Sequence, residues 1–180
     1  MFRAGGVLIG SHAFGVLLNQ LGVRAAAYAT EDIDIACRER LAFDTFPDAS
    51  FLEMLCQSGI AFMALPTMDP RQPATGFGPP GRARFHVDLW VPSPNATITT
   101  VEVPELKAYA TSLPYLRYGL GESSLTPVHA REGCCMVRVP TPERFAVHKL
   151  IASQLRVHRD AKSEKDIHQA CTLLAVLGEH

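Results

Sequence analysis

No apolar run in this 180-residue chain approaches the roughly 20 residues that a membrane-spanning helix needs. After Met1-Phe2-Arg3-Ala4-Gly5-Gly6, the stretch Val7-Leu8-Ile9 is too short to be the apolar region of a secretory signal. Neither sign of charge is in excess. With a formal net charge of −1, no global basic field advertises nucleic acid, so any polyanionic partner must be gripped locally. The five cysteines, with Cys134 and Cys135 adjacent and the rest scattered, form neither a disulfide framework nor a CxxC zinc pattern. Repeats and low-complexity tracts are missing too. Together these absences read as a reduced, zinc-free, cytoplasmic protein with no membrane attachment. What remains, 47% hydrophobic and 19% charged residues, is the composition of a folded domain.

Periodicity lays out the elements. Val7-Leu8-Ile9 is a short apolar strand ending at Gly10-Ser11, and the apolar spacing from His12 to Leu21 predicts a helix stopped by Gly22. A loop through Arg24 and Tyr28 leads to a strand over Asp32–Ala36. A helix is expected over Phe51–Gln57 and a strand over Ile60–Leu65. Residues 66–84, rich in Pro, Gly, Arg and Thr, read as one long loop in which Arg71, Arg82 and Arg84 either grip a polyanion or are simply solvated. Next comes a strand with Phe85, Val87, Leu89 and Val91 on one face and Arg84, His86, Asp88 and Trp90 on the other.

Strands around Leu125–His129 and Cys135–Val139 flank the turn signal Glu132-Gly133. Two helices follow. Thr141 with Pro142 opens the first, whose apolar stripe is Phe145, Val147, Leu150, Ile151 and Leu155. Ser163 and Asp166 have the spacing of a capping box opening the second, with Ile167, Ala170, Cys171, Leu174 and Leu177 facing inward.

Chemistry concentrates on three aspartates. In Thr30-Glu31-Asp32-Ile33-Asp34-Ile35 the strand period sends Asp32 and Asp34 to one face, while Phe85-His86-Val87-Asp88-Leu89-Trp90 supplies a third carboxylate. Like charges at that spacing repel and raise one another's pKa, a conflict that a divalent cation removes. Hard oxygen ligands suit Mg²⁺ or Mn²⁺, and three of them suffice for a site of two ions. His148, His158 and His168 do not share metal-ligand spacing and read as scattered surface or core residues.

Gly10-Ser11 at a strand end, a helix immediately after, Asp32-x-Asp34 on a strand and Asp88 on a later one make the chain resemble the nucleotidyltransferase superfamily typified by DNA polymerase β. Within it, the chain is most similar to minimal bacterial nucleotidyltransferase-fold proteins. Val139-Pro140-Thr141-Pro142-Glu143-Arg144-Phe145-Ala146-Val147-His148-Lys149-Leu150 and Lys162-Ser163-Glu164-Lys165-Asp166-Ile167 look like the segments that follow the palm in that group.

The resemblance implies an α+β fold: a polymerase β palm-like mixed sheet with flanking helices and a helical C-terminal part. Residues 1–108 would be the palm-like core, with 109–180 packed on it as a hairpin and helices in one compact unit. It also implies transfer of a nucleoside monophosphate from an NTP to a hydroxyl of an acceptor such as an RNA end, a protein or a small molecule, in some relatives as toxin or defence factors. Asp32, Asp34 and Asp88 would be catalytic metal ligands for Mg²⁺ or Mn²⁺, and Gly10, Ser11 and Lys149 would bind the phosphates. About twenty residues separate Ser11 from Asp32, longer than the family's commonest spacing. The rival readings are a catalytically silent nucleotide-binding or regulatory module of the same fold, and metal-dependent phosphodiester cleavage.

Overall fold

A computed structural model describes all residues except 25–29, 39, 46, 83, 96, 131–132, 157–160 and 180, and the Ala130 side chain. Tyr28, Glu132 and His158 therefore lie outside the described residues. The order is β1 (Gly6–Ile9), α1 (Gly10–Gln20), β2 (Ile33–Cys37), α2 (Phe51–Cys56), β3 (Met63–Ala64), β4 (Gly76–Gly78), β5 (Val87–Pro92), β6 (Thr100–Val103) and β7 (Ala108–Leu113). Then follow α3 (Leu116–Leu120), β8 (Ser123–Ala130), β9 (Gly133–Pro140), α4 (Pro142–Leu155) and α5 (Ala161–Gly178). Among the described residues no helix is long and apolar enough to cross a membrane.

Strands β1 to β7 form one seven-stranded mixed sheet and β8–β9 a separate hairpin. At the centre β2 and β5 run parallel, with Ile33 opposite Val87 and Asp34 opposite Asp88; β1 flanks β2 antiparallel, with Ile9 opposite Asp34. On its other side β5 meets β4 antiparallel near Asp88 and β7 parallel from Trp90 onward. One sheet face sends Ile35, Val87, Leu89 and Val91 into a core with Phe51, Phe77 and Leu106. The opposite face carries Asp34, Asp88 and Trp90, and beyond them Val7 and Ala36 close a small cluster with Leu116 and Leu120 of α3. A further core joins Leu8, Phe14 and Leu17 to Val139, Phe145, Ala170 and Leu173, so segments from both sides of residue 108 share it.

Local chemistry explains most boundaries. Ser50 caps α2: its Oγ accepts from the Glu53 N–H at 3.3 Å, while its own N–H donates to Glu53 Oε2 at 2.6 Å. The Ser50 N–H, and then its hydroxyl, which donates to Glu53 Oε2 at 2.8 Å, hold the Glu53 carboxyl below its ordinary value. Thr141 is the N-cap residue of α4 with Pro142 at its first position, as the sequence implies.

Several expectations need correction. The strand expected over Ile60–Leu65 shrinks to Met63–Ala64, because its only partner among the described residues is the three-residue β4 and a short strand is how a sheet edge is kept from pairing further. The expected loop 66–84 contains β4, pinned by buried Phe77 between two glycines. The pair β6–β7 breaks no pattern rule, yet its turn through Pro104–Leu106 is closed by Lys107 in the left-handed region at φ 47°, not by a glycine.

Both terminal helices also turn differently from their expected stripes. In α4, Phe145, Ala146 and Ser153 are buried while Leu155 is exposed; in α5, Ser163, Asp166, Gln169, Ala170 and Leu173 are buried while Ile167, Cys171 and Leu174 are exposed. Polar groups took the inward face because they bond across the α4–α5 seam. Ser163 Oγ donates to the Ser153 carbonyl at 3.0 Å. The seam's apolar anchor is Leu173, with no exposed surface. Leu173→Ala should therefore cost about 2–5 kcal/mol in denaturant unfolding.

Candidate active site

Gly10 starts α1 with φ 68°, in the region that L side chains rarely adopt, and a Cβ there would overlap Asp34 Oδ2. Backbone and carboxylate thus share one spot that only glycine permits. The N-cap position is Ile9, whose side chain offers no acceptor, so the first N–H groups of α1 carry no side-chain cap. Ser11 follows, and its Oγ lies 3.4 Å from Nε2 of the fully buried Gln169 on α5. Among the described residues Gln169 Oε1 is buried without a hydrogen-bond partner.

Asp34 accepts a bond from the Trp90 indole N–H at 2.9 Å. Burial nevertheless raises its carboxyl pKa, against the lowering effects of that bond and of Lys149. Asp88, its register partner, is raised too, first by burial, and the charges of Asp34 and Asp32 push the same way. Beside Asp88 a second close approach occurs, since a Cβ on Gly76 would stand 2.5 Å from Asp88 Oδ1.

Asp32 lies just before β2, not within it, and is more exposed. His86 stands between Asp32 and Asp88: Nδ1 is 3.3 Å from Asp32 Oδ1 and Nε2 is 3.2 Å from Asp88 Oδ2. A neutral imidazole has one N–H and satisfies only one of those contacts. Among the described residues no three His, Cys, Asp or Glu side chains are grouped as a finished ion site. Still, the donor set fits a hard divalent cation, for two neighbouring carboxylates strained by burial and mutual repulsion are the groups such an ion relieves.

A cleft of about 470 Å³ opens from Gly10, Asp34 and Trp90 to Lys149, Arg156 and Asp166 on the helical side. Asp166 is not a helix-start residue as its spacing suggests; it is buried, with its side chain 3% exposed. Lys149 Nζ donates to its Oδ1 at 2.6 Å, and Arg156 gives Nε and Nη2 to Oδ2 at 3.0 and 2.8 Å. Lys149 spends one of three donors this way and Arg156 two of five, leaving both able to bond a ligand. Lys165 adds charge from α5, and its pKa is lowered first by burial and then by Lys149.

The structure therefore gathers Gly10, Asp34 and Lys149 around one cleft, sets Ser11 at the same helix start, and places Asp88 beside Asp34 with Asp32 linked through His86. Sequence reasoning missed Trp90, His86, Gly76, Arg156 and Gln169 as parts of this site, and it explained Asp166 locally as a helix-start residue. A signal existed for Trp90 and His86, which share the strand face of Asp88. None existed for the others, whose proximity is tertiary.

A mixed sheet that presents paired carboxylates at the foot of a glycine-led helix is an α+β fold of the nucleotidyl-transferring class. The chain matches the family model described as Nucleotidyltransferase over residues 1–180 and belongs to that family. No curated protein and no solved structure matches the chain.

Two outcomes follow from the electrostatics. The raised Asp34 carboxyl gives stability while protonated and loses it as pH rises through the shifted value, so the ionised group weakens the fold at neutral pH. Asp34→Asn should then raise the melting temperature, by roughly 2–4 °C for each kcal/mol recovered, in thermal unfolding at neutral pH. His148 carries the opposite sign: burial, helped by Lys149, lowers its pKa from 6.5 to about 4. Its stabilising neutral form is fully present above 6.5 and is lost as pH falls toward 4, so wild type should lose on the order of 3 kcal/mol relative to His148→Asn across that window.

Proposed function

We propose that this nucleotidyltransferase moves a nucleoside monophosphate from an NTP to a hydroxyl of its acceptor, with Asp32, Asp34 and Asp88 as ligands of Mg²⁺ or Mn²⁺. The observation that carries the reading is the Gly10–Asp34 overlap point, where uncapped helix N–H groups and a strained carboxylate meet. When bound, the cation supplies charge neutralisation to the phosphates and acidity to the attacking hydroxyl.

The chain's own groups do the positioning. Gly10 lets the start of α1 stand against the Asp34 carboxylate, so that phosphate bound to the same ion reaches the backbone there, and Ser11 with the first turn of α1 offers donors to its oxygens. Lys149 and Arg156, fixed by Asp166, hold the β- and γ-phosphates from the other wall. Asp34 is held by Trp90 and Asp88 by His86, so neither carboxylate swings when the site fills. The acceptor oxygen attacks the α-phosphorus in line from the Asp88 side. A P–O bond forms as the bond to the bridging oxygen breaks, pyrophosphate leaves past Lys149, and the hydroxyl proton passes to solvent.

Label transfer from each α-labelled NTP into a total lysate of the source cell tests this reading. Wild type should transfer label, and Asp34→Ala should lose at least about 10²-fold in rate while remaining folded. Chelation should stop transfer, and added Mg²⁺ or Mn²⁺ should restore it. Undiminished transfer by Asp34→Ala, or in excess chelator, would end the proposal.

A further inference from the structure

The helical end of the cleft contains more than phosphate ligands. Beyond Trp90 its wall is apolar, made by Leu113, Leu116, Leu120 and Leu155. Trp90 belongs to that wall as well, because its one polar atom is spent on Asp34 and the ring is left as an aromatic surface. His148 of α4, next to Lys149, joins this wall as a polar side chain. Its ring packs on Gly119 of α3, where a Cβ would come within 3.3 Å of the imidazole carbon Cγ.

Neither His148 nitrogen has a hydrogen-bond partner among the described residues, neither is fully buried, and the residue lines the cleft. A half-buried imidazole without partners is an unmade pair of bonds, one donor and one acceptor, waiting in apolar surroundings. Beside the apolar wall, away from the Lys149 and Arg156 head groups, such an imidazole suits a flat, neutral ring with polar edges. The cleft's volume of about 470 Å³ falls in the range for one small ligand, and its far end already belongs to phosphate chemistry.

We infer that this end of the cleft is the nucleobase pocket, in which Trp90 and the leucines of β7, α3 and α4 enclose a heteroaromatic base and His148 reads its edge. The inference rests on the nucleotidyl-transfer reading and adds to it the residue that discriminates among bases. Discrimination follows from physics: a base that pairs with the imidazole gains a bond, whereas one that presents the wrong edge leaves a buried polar atom unpaired. His148 remains neutral at physiological pH, since burial pushes it down to about 4, so the edge it offers is constant.

Calorimetric dissociation constants for the four Mg²⁺–NTPs and for inorganic tripolyphosphate separate base from phosphate. Wild type should bind one NTP or one pair of NTPs best, and all preferred forms more tightly than tripolyphosphate. His148→Ala should weaken the preferred nucleotide about tenfold, leave tripolyphosphate unchanged and flatten the preference. His148→Asn, which keeps one donor and one acceptor, should recover part of the preference. Gly119→Ala, which displaces the ring without touching its chemistry, should shift it in the same direction as His148→Ala.

Equal binding of all four NTPs by wild type would overturn the base pocket while leaving nucleotidyl transfer standing. So would a loss in His148→Ala that is the same for tripolyphosphate as for every NTP. Failure of wild type to bind any NTP or tripolyphosphate would overturn both.

Discussion

Everything in this site depends on the parallel pairing of β2 with β5. That register sets Asp34 opposite Asp88, and β1 on the other side sets Ile9 opposite Asp34, so the chain leaves β1 at Gly10 directly over the carboxylate. The period of a strand is two, and a slip of β2 by one residue would send Asp34 into the apolar core and bring Ile35 to the cleft, leaving Asp88 without its partner. The core enforces the correct choice. Ile35, Val87 and Leu89 are buried on the far face, and their removal from water amounts to several kcal/mol in favour of this register alone. Hydrophobic burial on one face therefore holds repelling charges together on the other.

The C-terminal helices close the site with charge of the opposite sign. A buried carboxylate is unfavourable by itself, and Asp166 is retained because two cations bond it from α4 and the residue that follows it. One negative group thus fixes two positive ones, and the cluster keeps a net positive charge facing the acidic sheet. Gln169 adds a thread from α5 to Ser11, at the cost of a carbonyl oxygen with no partner among the described residues. The helices that sequence patterning assigns to simple apolar packing are in fact oriented by these polar contacts. Rotation of α5 to bury Ile167 and Leu174 would take Asp166 and Gln169 out of the seam.

How much of this was legible can be judged residue by residue. The β1–α1 junction, the Asp32-x-Asp34 pattern and the alternation around Asp88 are local, and strand or helix period alone reveals them. Phe77 was hidden because flanking glycines and prolines look like loop, although one buried ring is enough to pin a three-residue strand. The turn at Lys107 was hidden because a non-glycine residue takes the left-handed conformation there. Gly76 could not be distinguished from any loop glycine, since its meaning is the nearness of Asp88, twelve positions away in sequence and adjacent only in the sheet. Asp166 was misjudged for a related reason: its spacing from Ser163 imitates a cap, while its partners lie on another element.

The cleft is divided between two costs that neither half can remove by itself. On the sheet side, burial raises Asp34 and Asp88; on the helix side, burial lowers His148 and Lys165. Bringing the two sides closer would ease the charges on each, but the fold holds them apart across a space the size of a small ligand. A molecule that is anionic at its centre, carries a divalent ion on one flank and a neutral ring at its end would ease each in turn. Under the proposed function that molecule is the metal-bound NTP, and the same unfavourable burial that weakens the fold becomes the source of its affinity.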